Sequence, residues 1–171
     1  IQIPIALLEG EAVPAPHKLG SLTKAVDAAN LDMSGLSTAL AQASHPLFVI
    51  GGGAADAATA LREVITGCSA ACFETFAGRG IMPWDYPLNF GAALARPSSS
   101  QVMAQADCIV AVGTELAEVD LWRNHMGHDC PLYRIDIDPE CLSDEHRADM
   151  FMHAKAEDAM VSLLKCFVAS D

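Results

Sequence analysis

The 171-residue chain contains no cysteine pair of the C-x-x-C kind; Cys68, Cys72, Cys108, Cys130, Cys141 and Cys166 are scattered along it. That excludes the common zinc and dithiol redox motifs and leaves buried thiols as the expectation. No run of Lys or Arg occurs, and the formal net charge of -12 with a pI near 4.7 offers no footprint for nucleic acid or anionic lipid. The apolar stretches are strand-sized and broken by Gly, Pro or charge, well short of the roughly 20 residues a membrane span needs. No secretory leader opens the chain, and the first residue is Ile1, so the sequence reads as a cytoplasmic fragment cut from something longer. G-x-x-x-x-G-K-[ST] and G-x-S-x-G are both missing, which removes P-loop hydrolases and serine hydrolases of the nucleophile-elbow kind. His125, His128 and Cys130 lie close together, but no further ligand completes a tetrahedral set, so they read as a surface loop and no metal site is expected.

What remains is one well-supplied core. Hydrophobic residues make up 51% of the chain and charged ones 19%, the balance of a single compact domain. Ile1 to Leu8 reads as the end of an extended strand, and Glu9 to Leu31, with Pro14, Pro16 and Gly20, as a connection. Ser34 stands where an N-cap belongs, ahead of a short helix carrying Leu36, Ala39, Leu40 and Ala43. Leu47 to Ile50 is a four-residue apolar run stopped by glycines, as in a strand buried on both faces. The spacing of Ala54, Ala57, Ala58, Leu61, Val64 and Ile65 predicts a helix, with Gly67 as its stop.

Ala70 to Phe73 is a second strand, followed by an irregular stretch from Glu74 to Pro97 that is too long for a plain connector. Ser98, Ser99 and Ser100 read as N-caps of a helix reaching Ala106, and Asp107 to Val112 as a third strand ending at Gly113. Leu132 to Ile137 and Met150 to His153 supply two more strands. Ala156, Ala159, Met160, Leu163, Leu164 and Phe167 fall on one face of a last helix. Strand and helix in alternation predict an α/β fold with a doubly wound parallel sheet, Rossmann-like, whose ligands sit at the carboxyl ends of the strands.

The glycine turn Gly51-Gly52-Gly53 is the sharpest candidate for chemistry, because glycines after a buried strand let backbone amides approach a phosphate. The sequence continues Ala54-Ala55-Asp56, so the last glycine of G-x-G-x-x-G is replaced by an acid. Glu74 falls where a ribose-binding acid would stand, which keeps a stand-alone NAD-binding oxidoreductase module as the alternative reading. A tight turn needing glycine for shape alone explains the same residues. Asp136 and Asp138 flank Ile137 at a strand end, where capping of the next turn competes with a carboxylate pair. No nucleophile or base is fixed beside them, so no catalytic residue is expected.

Read together, Pro46-Leu47-Phe48-Val49-Ile50-Gly51-Gly52-Gly53-Ala54 resembles the opening strand of the middle domain of thiamine-diphosphate-dependent enzymes of the acetolactate synthase and 2-oxo-acid decarboxylase kind. Thr75-Phe76-Ala77-Gly78-Arg79-Gly80-Ile81-Met82-Pro83, running to Tyr86-Pro87 and Gly91, is similar to that family's T-x-x-G-x-G-x-x-P-x-x-x-P loop. Ala106-Asp107 with Val110 to Gly113 resembles its third strand, and Ile135-Asp136-Ile137-Asp138-Pro139 its I-D-I-D-P strand.

The resemblance implies residues 1–8 as the end of a preceding pyrimidine-binding domain, 9–31 as linker, and 32–171 as the central domain. It also implies a parent enzyme that uses thiamine diphosphate and magnesium, held by the pyrimidine- and diphosphate-binding domains on either side, and that assembles as a homo-oligomer. The catalytic glutamate and the G-D-G metal motif belong to those domains, so this segment would be catalytically silent. Relatives that bind FAD or ADP here would use the positions of Gly51, Gly52, Gly53, Thr75, Phe76, Gly113, Asp136 and Asp138. Where flavin-binding synthases have G-A-R, this chain has Gly113-Thr114-Glu115, an anion in place of a cation, which implies weak or no flavin binding.

Overall fold

The computed structural model describes residues 31–141, 146 and 148–168. The strand end expected over 1–8 and nearly all of the connection expected over 9–31 lie outside the described residues. Among the described residues five parallel strands form one sheet: β1 (Pro46–Ile50), β2 (Ala71–Glu74), β3 (Cys108–Val112), β4 (Leu132–Asp136) and β5 (Met150–His153). Their spatial order is β2-β1-β3-β4-β5. The order reverses between β1 and β3, and such a switch point is where a doubly wound sheet opens a crevice at its carboxyl edge.

Position in the sheet accounts for the sequence of each strand. β1 and β3 are central, and every residue of both is buried. A strand covered on both faces needs an unbroken apolar run, and Leu47-Phe48-Val49-Ile50 and Cys108-Ile109-Val110-Ala111-Val112 supply one each. β5 lies at an edge and exposes Met150 and Phe151.

Helices α1 (Ser34–Gln42), α2 (Ala58–Gly67) and α5 (Ala156–Val168) pack together against the sheet face that presents Phe48, Ile50, Val110, Val112 and Ile135. The short helices α3 (Ser99–Met103) and α4 (Glu118–Leu121) and their loops cover the opposite face around Leu47, Val49, Phe73, Ile109 and Ala111. The fold is therefore the doubly wound parallel α/β sheet that the alternation implied.

Several caps differ from expectation. Ser34 is already helical, and its amide donates to Oδ1 of Asp32 at 3.0 Å, so Asp32 supplies the cap oxygen. Ser98 caps nothing with its side chain. Ser99 instead donates its hydroxyl back to the carbonyls of Leu94 (2.6 Å) and Arg96 (2.7 Å), and Ser100 to that of Pro97 (2.7 Å). These hydroxyls serve the loop behind them, a local alternative always open to serine. Only Cys72 and Cys108 of the six thiols are fully buried; the others are partly exposed and none forms a disulfide.

The long segment after β2 is ordered by that strand. The Cys72 amide donates to the Leu88 carbonyl (3.0 Å), the Phe90 amide to Cys72 (2.9 Å) and the Glu74 amide to Gly91 (3.0 Å). Residues 88–91 therefore lie alongside β2 and cover an edge that would otherwise present unpaired backbone. Phe90 stacks on Phe73 with ring centroids 4.9 Å apart. Among the described residues no helix is long and apolar enough to cross a membrane.

Candidate functional site at the carboxyl ends of the strands

The glycine turn leaves β1 and is held on both sides by other backbone. Gly51 donates to the Val112 carbonyl (2.9 Å), Gly53 to Gly113 (3.0 Å) and Ala54 to Gly51 (3.1 Å), so three amides of the turn already have partners. A Cβ on Gly51 would stand 2.0 Å from the Gly113 oxygen, and one on Gly113, whose φ is +59°, would meet the Ala54 nitrogen at 2.5 Å. Glycine is required at these positions because two backbones touch there. The chain continues as a 3-10 helix over Gly52–Ala57 before α2 begins at Ala58, a tighter start than the uninterrupted helix expected from Ala54.

Thr75 and Gly78 close the other flank. Thr75 is buried, its amide donates to Ile50 (2.9 Å), and its Oγ1 accepts from the Gly78 amide at 3.2 Å. Glu74 is also buried, and its Oε1 accepts the Met82 amide at 2.8 Å. The ribose-binding role that the NAD reading needs from Glu74 is thus in competition with a bond that fixes the loop.

Gly53, Gly113 and Asp136 come together with Asp56, Lys155 and Glu157 around a crevice of about 210 Å³. Ligand pockets commonly run from about 300 Å³ upward. Its charged lining is three carboxylates against one ammonium. Nearby, the Cys141 thiol is pushed up to about 11 by burial first and then by Asp136, Asp138 and Glu115, of which Asp136 also lines the crevice. An acidic rim disfavours a diphosphate, and three of the turn's amides are spent, so the residues present do not fit FAD, ADP or another diphosphate-bearing cofactor.

Phe76 and Asp138 are not part of that lining, and Asp136 has a second engagement. Phe76 is exposed and shares a separate groove with Glu118, Val119 and Trp122. Asp136 and Asp138 cap the turn after β4: Asp136 Oδ1 accepts the Asp138 amide at 3.0 Å, and Asp138 Oδ1 accepts that of Glu140 at 2.9 Å. His128 is engaged with the Cys130 carbonyl at 2.9 Å, and among the described residues no three of His, Cys, Asp and Glu gather as metal ligands.

Lys155 and Arg134 carried no recognisable sequence signal, and Asp107 was marked as part of a strand motif but not as a clamp. Asp107 accepts the amides of Ser44 (2.7 Å) and His45 (2.9 Å), tying the end of α1 to the start of β3. Arg134, 1% exposed, donates to the carbonyls of Thr114 (3.1 Å) and His146 (3.2 Å), joining β4 to the segment after β3.

The chain is similar over 125 residues, at 37% identity, to the probable 2-ketoarginine decarboxylase AruI of Pseudomonas aeruginosa, covering 73% of this chain and 22% of that one. It is 29% identical over 133 residues to pyruvate oxidase of Lactiplantibacillus plantarum, and 30% identical over 139 residues to 2-hydroxyacyl-CoA lyase 1 of Mus musculus. Those matches cover 75% and 77% of this chain, and 22% of each relative, so the chain spans about a fifth of the length of these proteins. The family model described as "Thiamine pyrophosphate enzyme, central domain" matches residues 34–163, from the first turn of α1 to the middle of α5; the chain belongs to this family.

Proposed function

We propose that this chain is the non-catalytic centre of a larger enzyme that uses thiamine diphosphate and magnesium, held by flanking pyrimidine- and diphosphate-binding domains, to decarboxylate a 2-oxo acid. The observation that carries the reading is the central-domain match over residues 34–163, joined to 37% identity with a protein named for decarboxylating 2-ketoarginine. Synthase chemistry on a 2-oxo acid belongs to the same reading. The acidic crevice supports a second part of the proposal: the domain carries no tightly bound flavin or ADP, and its glycines serve the close approach of two loops. Its work is to space and orient its neighbours.

Two measurements test this. The parent polypeptide, supplied with thiamine diphosphate and magnesium, releases carbon dioxide from a 2-oxo acid, whereas the 171-residue chain alone releases none; turnover by the chain alone defeats the proposal. Titration of the parent with FAD leaves flavin fluorescence unquenched at stoichiometric concentration, and tight one-to-one uptake would contradict the second part.

A further inference from the structure

We propose that the apolar face formed by Phe76, Val119 and Trp122 is the docking surface for a flanking domain of the same polypeptide, which meets it with an apolar centre and a basic rim. The inference rests on the central-domain reading. Trp122 is 76% exposed, Val119 67% and Phe76 54%, and together with Glu118 they line one open groove of about 510 Å³. Large aromatic and aliphatic side chains clustered on a surface mark an interaction site, whereas isolated ones do not.

The backbone beneath the cluster is fixed at some cost. Trp122 ends α4 in the left-handed region, at φ 52° and ψ 30°, where glycine is the usual choice. Buried Leu116, on the other side of α4, also has φ 52°. Two bulky residues in this region are strained, and strain of that kind persists where the surroundings over-determine it. Arg123 provides the surroundings. Its guanidinium donates to the carbonyls of Leu94 (3.0 Å), Leu121 (3.2 Å), His125 (3.0 Å) and Met126 (3.3 Å), locking the residue next to Trp122 to the body of the domain. The tryptophan is presented outward from a hydrogen-bonded turn that Arg123 ties to Leu94, and a side chain placed beforehand meets a lower ordering cost on binding.

The occupant follows from the chain's context and charge. The relatives are several times longer than the segment matched here, so a central domain has covalently attached neighbours within reach. The groove sits in loops that follow β2 and β3, at the carboxyl edge of the sheet, where such a neighbour would also cover the crevice. Glu118 is exposed in the lining of the groove, which calls for Lys or Arg on the rim that faces it, while Arg79, whose guanidinium lies 5.9 Å from the Phe76 ring centroid, stands at the other end.

Hydroxyl-radical footprinting of the intact parent enzyme, read against the same protein in denaturant, tests this. Trp122 and Phe76 are expected to oxidise several-fold more slowly than their exposure here would give, with no change on dilution. Val119→Asp should raise oxidation of Trp122 several-fold, while Val161→Asp on α5, at a position 40% exposed, leaves it unchanged. Circular dichroism confirms that both variants are folded. Rapid oxidation of Trp122 in the wild-type parent overturns the proposal, as does protection that fades on dilution, which would place a second copy there. Protection that survives Val119→Asp overturns it too. A reading frame with no domain on either side would instead defeat the central-domain reading itself.

Discussion

Asp107 shows how one side chain can hold a junction. Burial pushes its carboxyl up, but the amides of Ser44 and His45 and the neighbouring His45 side chain more than offset this, and the group ends below its ordinary 3.8. Asp107→Ala should cost about 1 kcal/mol, below the usual range for bonds to a charged acceptor because the carboxylate faces solvent, and urea unfolding would show it. Cys72 and Cys108 make the opposite point. Burial first, and nearby negative charge second, push both thiols up to about 12. In the native protein at pH 8 a disulfide reagent should leave these two unmodified and reach them only after denaturation; rapid native labelling would show that their sites open. The sequence located Cys108 inside an apolar run and so its burial was legible, but Cys72 needed the pairing of residues 88–91 with β2 to be understood. Asp107 was legible as part of a motif and illegible as a clamp, because its partners are more than 60 residues away in the chain.

All five expected strands are present within a residue of their expected bounds, the edge strand β5 included; β1 and β3 announce themselves most plainly, because a strand covered on both faces needs an uninterrupted apolar run. Helix starts were less readable. A serine before a helix can accept from the helix or donate to the loop behind it, and in Ser99 and Ser100 the second outcome won. Sheet order was not in the local pattern at all, because it depends on which crossover covers which face. The glycine turn was recognised, but its purpose depended on a contact with Gly113 that only the fold brings about. Gly113→Ala should therefore destabilise the domain by about 3 kcal/mol or more, combining a left-handed backbone with overlap on the Ala54 nitrogen. Gly67→Ala, where an added Cβ meets nothing within 4 Å, should instead raise stability by about 0.5 kcal/mol. Thermal melts of the two variants provide the check.

Opposite shifts contribute an acid limit and an alkaline limit to the stability of the whole molecule. A carboxyl whose native pKa is depressed, as at Asp107, contributes stability that is present above its ordinary 3.8 and is lost as pH falls through the native value. Thiols raised in the native state, as at Cys72 and Cys108, contribute stability that is full below 9.0 and is lost as pH climbs toward about 12. Denaturant midpoints should therefore be flat between these limits and decline outside them. Cys72→Ala and Cys108→Ala together should flatten the alkaline arm, and an unchanged arm would assign it to other groups. The seam between Gly51, Gly53 and Gly113 constrains the molecule in another way. Since its walls are main chain and the smallest possible enlargement is already too large at two of the three positions, divergence among relatives cannot proceed there by degrees. Any change in what the crevice attracts or repels has to be written in the residues around the seam, at Asp56, Lys155 and Glu157, whose side chains can vary without parting the two loops.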